Sequence, residues 1–315
     1  MSRVGVWLLL CLPGVVSMPL AAAPRAPECD RACLLRIAGL YMDSLSANDA
    51  SGAPFAPTLR STENRQPSTM SSGIWGSARG WRYRHSFVDP VSGQIGAFGV
   101  ISEGPDQDVI IGLRLKVVAR QISESELLVT RKGEFPLFAP RAQTEPQAAF
   151  TTILPSDHRA TRAALAETPQ HYFQAIREGN PELVPIHPDA NRVENGVQTT
   201  NNPDFPASAS VNEGLKRLIY MQQARALRVP VIDVDRGLAF AVVAVDMPEM
   251  TRTLTIRGKP VEINPQRQHL PRTLLLFELF HVEDGQIRQI EAVMRNMPLG
   301  AQVGWPGDDK PASRP

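Results

Sequence analysis

The chain has 315 residues, a length that suits about two domains of roughly 150 residues each. Apolar residues make up 43% and charged residues 21%, which excludes an intrinsically disordered chain. Net charge is +1, from 33 basic and 32 acidic residues, so no general field draws in nucleic acid or an anionic membrane.

Residues 1–23 read as a signal peptide. Arg3 is the charged start, Val4 to Leu12 is an apolar run broken only by Gly5, and Ala21, Ala22 and Ala23 are the small residues of a cleavage region. That run is too short for a transmembrane helix, which needs about 20 apolar residues. A periplasmic or secreted location follows. Beyond the signal stand two cysteines, Cys29 and Cys33. An even pair in an oxidising compartment invites a disulfide that pins the start of a helix; a metal or redox pair is the alternative.

From Leu34 to Leu45 apolar residues fall on an i, i+3, i+4 stripe, which predicts a helix. Then comes a block, Ala53 to Asn64, that the chain repeats without gaps as Val184 to Asn195. Pro54, Pro57, Glu63 and Asn64 recur there as Pro185, Pro188, Glu194 and Asn195. Val88 to Gly93, leading into an apolar strand, recurs as Ile232 to Gly237. Leu113 to Arg131 recurs as Glu278 to Asn296, with Gln121, Ile122 and Glu126 matched by Gln286, Ile287 and Glu291. A second helical stripe, from Ala163 to Ile176, precedes the second copy, and Pro169 predicts that this helix kinks or starts late. Three blocks in one order behind the same helix predict an internal duplication. Its parts are a first domain over 29–135, a linker over 136–155, a second domain over 156–305 and a tail over 306–315. Asp284-Gly285 between two long apolar runs predicts a hairpin, hence an antiparallel sheet beside a long helix, an α+β class. Met247 to Arg272 reads as an insertion ahead of that hairpin.

The helix with its Tyr41-Met42 pair, the Trp75-Gly76 turn, the strand–loop–strand around Asp89 and Gly93, and the closing pair of long strands resemble the nuclear transport factor 2-like (SnoaL-like) superfamily. The stretch Arg192 to Pro203 resembles an uncharacterised exported family with two such halves. The resemblance covers about Cys29 to Trp305. It implies a tandem duplication of a cone-shaped fold, in which a curved antiparallel sheet wraps a long helix around a cavity. It also implies chemistry without cofactors, or plain binding. It carries no single catalytic signature, so fold leaves function open.

Candidate chemistry centres on the repeated Glu-Asn pair. A carboxylate in a partly apolar cavity has its pKa raised and can work as acid or base near neutrality. Glu194 is therefore the expected acid/base, with Asn195 and Arg192 orienting the substrate. Asn195-Gly196 is also a type I′ turn signal, which is the competing reading. Gln198, Thr199, Thr200, Asn201 and Asn202 offer uncharged donors and acceptors suited to a small polar or polyhydroxylated molecule, or else local caps around an Asn-Pro turn. Tyr220, Glu278 and His281 complete the expected binding set, although strand alternation puts Glu278 and His281 on opposite faces. First-half candidates are Glu63, Asn64, Trp75, Tyr83 and His85. Asp89 and Asp233, each ahead of a glycine, read as turn residues. No metal motif, P-loop, nucleophile elbow or dinucleotide fingerprint is present, and His187-x-Asp189 alone is no metal site. The leading expectation is an exported, cofactor-independent lyase, dehydratase or isomerase acting on a small molecule. A non-catalytic ligand-binding or structural double cone is the alternative. The two halves are expected to pack as an intramolecular pseudo-dimer, with no nucleic-acid partner and no stable membrane insertion.

Overall fold

Leu34, Ile37, Ala38, Tyr41, Met42 and Leu45 give the first helix one apolar face, and in a computed structural model helix α1 spans Arg31–Ala47. The structure describes residues 28–205, 209–218, 221, 223–247, 253–256, 258–262 and 271–302. The signal-peptide reading, Tyr220 and the tail all lie outside them. Asp30 caps α1 by accepting from the Cys33 amide at 2.9 Å, and Asn48 ends it in the left-handed region at φ 55°. Cys29 and Cys33 form a disulfide at that N-terminus.

Six strands follow: β1 Phe55–Glu63, β2 Gln66–Pro67, β3 Gly80–Asp89, β4 Gln94–Ser102, β5 Asp108–Val118 and β6 Gln121–Thr130, with the short helix α2, Ile74–Ser77, before β3. Their order in the sheet is β2-β1-β6-β5-β4-β3, with β1 parallel to β6 and all other pairs antiparallel.

After helix α3, Ala148–Thr151, the arrangement recurs. Helix α4 spans Arg162–Glu178, and α5, Val211–Arg217, takes a place like that of α2. The strands are β7 Ile186–Glu194, β8 Val197–Gln198, β9 Gln223–Asp233, β10 Leu238–Met247, then a small hairpin of β11 Thr253–Ile256 and β12 Lys259–Glu262, and finally β13 Arg272–Glu283 and β14 Gln286–Pro298. The second sheet runs β8-β7-β14-β13-β10-β9, again with one parallel pair, β7 with β14. The α+β class is as expected from sequence, and both sheets share one strand order. Helix α4 corrects one expectation: it begins at Arg162, with Thr161 accepting from the Ala164 amide, so Pro169 lies inside it rather than at its start.

Turn chemistry sets the registers. Asn64 and Arg65 (φ 51° and 68°), Asn195 and Gly196 (φ 46° and 82°), and Asp284 and Gly285 (φ 53° and 71°) supply two successive left-handed residues, the demand of a type I′ hairpin. At Gly196 a Cβ would stand 2.2 Å from the Ala139 carbonyl oxygen, so the residue also permits a close approach of chain.

Each sheet has its long helix on one face. Leu34, Ile37, Tyr41 and Leu45 pack on Ile95, Leu113 and Leu127; Leu165, Tyr172 and Ile176 pack on Ala241, Leu276 and Ile290. The opposite faces of the two sheets share a third cluster, with Phe87, Phe98 and Leu128 from the first and Phe240, Phe277 and Leu279 from the second. With both faces covered, β13 loses polar alternation and reads Leu-Leu-Leu-Phe-Glu-Leu-Phe. Each of its large apolar side chains contributes about 1.5–3 kcal/mol by leaving water. The segment 136–155 is docked rather than slack, since Phe150 inserts into the shared cluster at 1% exposure.

Two ion pairs tie the halves reciprocally. Arg31, at the start of α1, donates to both oxygens of Asp233 at 2.6 Å. Arg162, at the start of α4, donates to both oxygens of Asp89. Asp89 also accepts from Ser92 and Val91, so the expected turn role and a bridging role coexist there.

Candidate functional site

Between α4, α5 and the concave face of the second sheet lies a cavity of about 270 Å³. Phe173, Ile176, Leu276 and Met294 are among its apolar walls, while Tyr172, Arg192, Glu194, Thr199, Thr200 and Glu278 form a polar floor. Strand periodicity brings the floor together. Residues 192 and 194 of β7 face the same way, as do 274, 276 and 278 of β13.

Arg192 is the hub of that floor, at 6% exposure. Its Nε lies 3.1 Å from Glu194 Oε1 and 3.4 Å from Thr199 Oγ1, and its Nη1 donates to the Tyr172 hydroxyl at 3.2 Å. Its backbone is pinned as well: the amide donates to Thr200 Oγ1 at 2.8 Å, and the carbonyl accepts from the Thr199 amide at 2.9 Å. Burial works against the guanidinium charge, but Glu194, Tyr172 and Glu278 outweigh it and hold the group protonated. Burial likewise pushes the Tyr172 phenol above its ordinary range.

Glu278 is 3% exposed, and its Oε2 has no hydrogen-bond partner among the described residues. Burial pushes its carboxyl up to about 8, with Arg192 pulling it down and Glu194 pushing it further up. At pH 7 it is therefore mostly a neutral acid inside an otherwise apolar strand.

The structure brings five of the sequence candidates to this cavity: Arg192, Glu194, Thr199, Thr200 and Glu278. The other described candidates do not line it. Asn195 is fully buried, its amide donating to the Leu137 and Met294 carbonyls and its oxygen accepting from the Met294 amide, so it shapes the turn and has nothing left for a substrate. Gln198, Asn201 and Asn202 brace their own loop: Gln198 donates to the Thr200 carbonyl at 3.0 Å, Asn201 to Ala190 at 3.0 Å and Asn202 to Gln198 at 2.9 Å. His281 points to the face opposite Glu278. It is 3% exposed, and burial, countered by Glu283 and abetted by Arg288, holds it below its ordinary pKa and uncharged. Neither of its ring nitrogens has a hydrogen-bond partner among the described residues.

None of the first-half candidates lines this cavity. Glu63 accepts from the Ile74 amide at 2.9 Å and so caps α2. Asn64 accepts from the Val129 amide at 2.8 Å. Trp75, 1% exposed, stacks edge-on with Tyr41 and Phe55 at 5.2 and 5.9 Å in the core beside α1. Tyr83 and His85 bond each other at 2.8 Å on the shared inter-sheet face, away from α1.

Sequence reasoning missed Tyr172 as a site residue. The available signal was its alignment with Tyr41, at the same offset that relates Glu63 to Glu194. Among the described residues, His158, Glu283 and Asp284 hold one possible ligand atom each within 4.8 Å of one another, at partly exposed surface positions. No helix of the described residues is long and apolar enough to cross a membrane.

A family model described as a domain of unknown function (DUF8021) matches residues 158–294, a span that holds Tyr172, Arg192, Glu194 and Glu278. No curated protein matches the chain. Among solved structures, an uncharacterised protein with a cystatin-like fold from Caulobacter vibrioides is similar at 16% identity, covering 41% of this chain and 85% of its own, with a TM-score of 0.26. TsrD from Streptomyces laurentii is similar at 18% identity, covering 43% and 90%, with a TM-score of 0.26. An NTF2-like protein from Cytophaga hutchinsonii is similar at 11% identity, covering 42% and 98%, also with a TM-score of 0.26.

Proposed function

We propose that the chain is an exported tandem pair of nuclear transport factor 2-like cones, packed as a pseudo-dimer, whose second cone performs cofactor-independent acid/base chemistry. The observation that carries this reading is Glu278, a buried carboxyl that opens on a cavity and is raised to about 8 by its surroundings. A neutral carboxylic acid can hand a proton to a substrate oxygen, and a buried guanidinium beside it can offset negative charge as it develops. The proton-donor role therefore goes to Glu278, and the base role stays with Glu194. Glu194 pairs with Arg192 and is the carboxylate available to accept a proton from carbon. The predominantly apolar walls move the substrate class from polyhydroxylated molecules to compounds with an apolar body and one carbonyl or hydroxyl. In a proton-transfer cycle, Glu194 takes a proton from the carbon next to a carbonyl while Glu278 gives its proton to the carbonyl oxygen, which leaves an enol, a neutral Glu194 and an ionised Glu278. Glu194 then delivers its proton to the opposite face of that carbon, or to the far carbon of a conjugated double bond, while Glu278 takes back the enol proton, and an isomerisation is complete. The Cys29–Cys33 disulfide supports an oxidising compartment.

The test is deuterium uptake at the α-carbon of a panel of medium-chain and alicyclic ketones in D2O, followed by NMR. The wild type is expected to exchange at least one ketone, and Glu278→Gln to lower that rate by about 10²-fold or more. Should a ketone shift the methyl signals of Met294 without any exchange, the cavity is a non-catalytic binding site. The apolar majority of its lining favours that second reading.

A further inference from the structure

Glu291 lies on the other face of the second sheet. Along β14, Ile290, Ala292 and Met294 point toward α4, and alternation turns Glu291 toward the first half, where it is 2% exposed. Its carboxyl forms the floor of a separate cleft of about 460 Å³ between the halves.

The chain carries its own reference for this residue. Glu126 is the equivalent of Glu291 in the sequence repeat and in sheet register, since Glu126 faces Arg114 across the ladder and Glu291 faces Leu279. Glu126 is surrounded by guanidinium groups: Arg228 at 2.6 Å, Arg114 at 3.1 Å and Arg65 at 4.0 Å. Each arginine has a non-cationic counterpart around Glu291. Leu279 stands for Arg114. Gly196 stands for Arg65, at the matching turn position. His85 stands for Arg228, because Phe98 faces His85 in the first sheet as Val242 faces Arg228 in the second. Burial holds His85 down at about 4, so it is uncharged at neutral pH. The one hydrogen bond Glu291 keeps is from Gln143 Nε2, at 2.7 Å. Among the described residues no Lys or Arg lines the cleft; its polar groups are the amides of Gln143, Gln147, Gln198 and Asn202, the Tyr83 phenol and the second carboxylate Glu145.

We propose that this cleft binds a small organic cation, an amine or guanidinium compound, whose charged group stands against Glu291 where arginines stand against Glu126. A carboxyl stripped of its three counter-charges, at the floor of a cleft with amide acceptors and a phenol ring but no competing cation, has the complement of such a ligand. The absence of cationic side chains makes it a poor site for phosphate or carboxylate compounds. The proposal is independent of the Glu278 cavity, which opens on the opposite face of the sheet.

The experiment is calorimetric titration of the full chain with agmatine, with cadaverine, and with glucose as a neutral polyol control. Saturable one-to-one binding of agmatine or cadaverine is expected, with no heat from glucose. Glu291→Gln is expected to weaken that binding by at least about tenfold, the loss of one charge-assisted contact. Gln143→Arg places a guanidinium from the chain itself beside Glu291, so it is expected to abolish binding while keeping the fold, checked by circular dichroism. Glu278→Gln is expected to leave it unchanged. Absence of amine binding overturns the proposal. So does binding that survives in both Glu291→Gln and Gln143→Arg, or that disappears in Glu278→Gln, or a preference for glucose.

Discussion

Replacing Glu278 by Gln isolates what its burial does to stability. Gln keeps the shape and the neutrality of the protonated acid but cannot ionise. In the folded chain burial raises the carboxyl from an ordinary 4.5 to about 8. The folded state therefore binds the proton more tightly than the unfolded state does. The stability linked to it is fully present below pH 4.5 and is lost as pH rises through 8, because the unfolded carboxyl has already ionised while the folded one resists. A gap of about 3.5 pH units at about 1.4 kcal/mol per unit corresponds to about 5 kcal/mol across that window. Wild type and Glu278→Gln should then have similar stability near pH 4, and the variant should gain on the wild type by about 1.4 kcal/mol per pH unit between pH 5 and 8. Arg192 stays paired with Glu194 in the variant, so no buried cation is left alone. Urea unfolding followed by circular dichroism, at half-unit pH steps without reductant, gives both curves. Parallel curves from pH 5 to 8 would refute the assignment of a raised Glu278 and, with it, the proton donor of the proposed chemistry.

Two further substitutions probe the ion pairs. For Glu126→Gln, three guanidinium groups lose their shared buried carboxylate, so a loss of about 3–5 kcal/mol at pH 7 is expected. Burial opposes ionisation of Glu126 but Arg228, Arg114 and Arg65 outweigh it and hold its pKa low, so this loss should begin to shrink as pH falls below the ordinary carboxylate value of 4.5; a gap of the same size at pH 3 as at pH 7 would contradict the assignment. Arg162→Met strands Asp89, which keeps Ser92 as a partner, and should cost about 1–2 kcal/mol in urea unfolding; no change would mean that the bridge between halves contributes nothing measurable.

Much of the fold was legible because its signals are local. The helix stripe from Leu34 to Leu45, the Asn-Gly and Asp-Gly turns, and the matched blocks at a constant offset within each block all depend on neighbours in sequence. Pro169 did not delay the helix, because the packing of Tyr172, Phe173 and Ile176 on the sheet outweighs a proline's cost within it. The site was harder to read. A repeated Glu-Asn pair looks the same whether it serves a turn or a substrate, and only the third dimension shows that Asn195 spends its amide on Leu137 and Met294. Alternation separated Glu278 from His281, but it could not show that Glu278, rather than Glu194, is the carboxyl without a hydrogen-bonded counterpart. Trp75 stood among the first-half candidates because nothing in its sequence context shows that Tyr41 and Phe55 close around it.

The two halves make a sharper argument together than either does alone. Where the first sheet has Leu113, the second has Glu278; where the first has Ser61, the second has Arg192. Leu113, Ser61 and the buried Trp75 belong to ordinary core beside the first sheet, with Tyr41 satisfied by Ser125 at 2.7 Å. Burying an acid and a guanidinium instead costs stability, which a structural role does not require, since the first sheet forms without them at the matching positions. At the Glu126 and Glu291 pair the difference runs the other way: Glu126 faces Arg65, Arg114 and Arg228, and Glu291 faces none of their equivalents. Both departures leave an under-compensated carboxyl facing a cavity, one on each side of the same sheet. Burying an under-compensated carboxyl costs stability, and a ligand at each cavity floor, as proposed above, would supply the missing compensation.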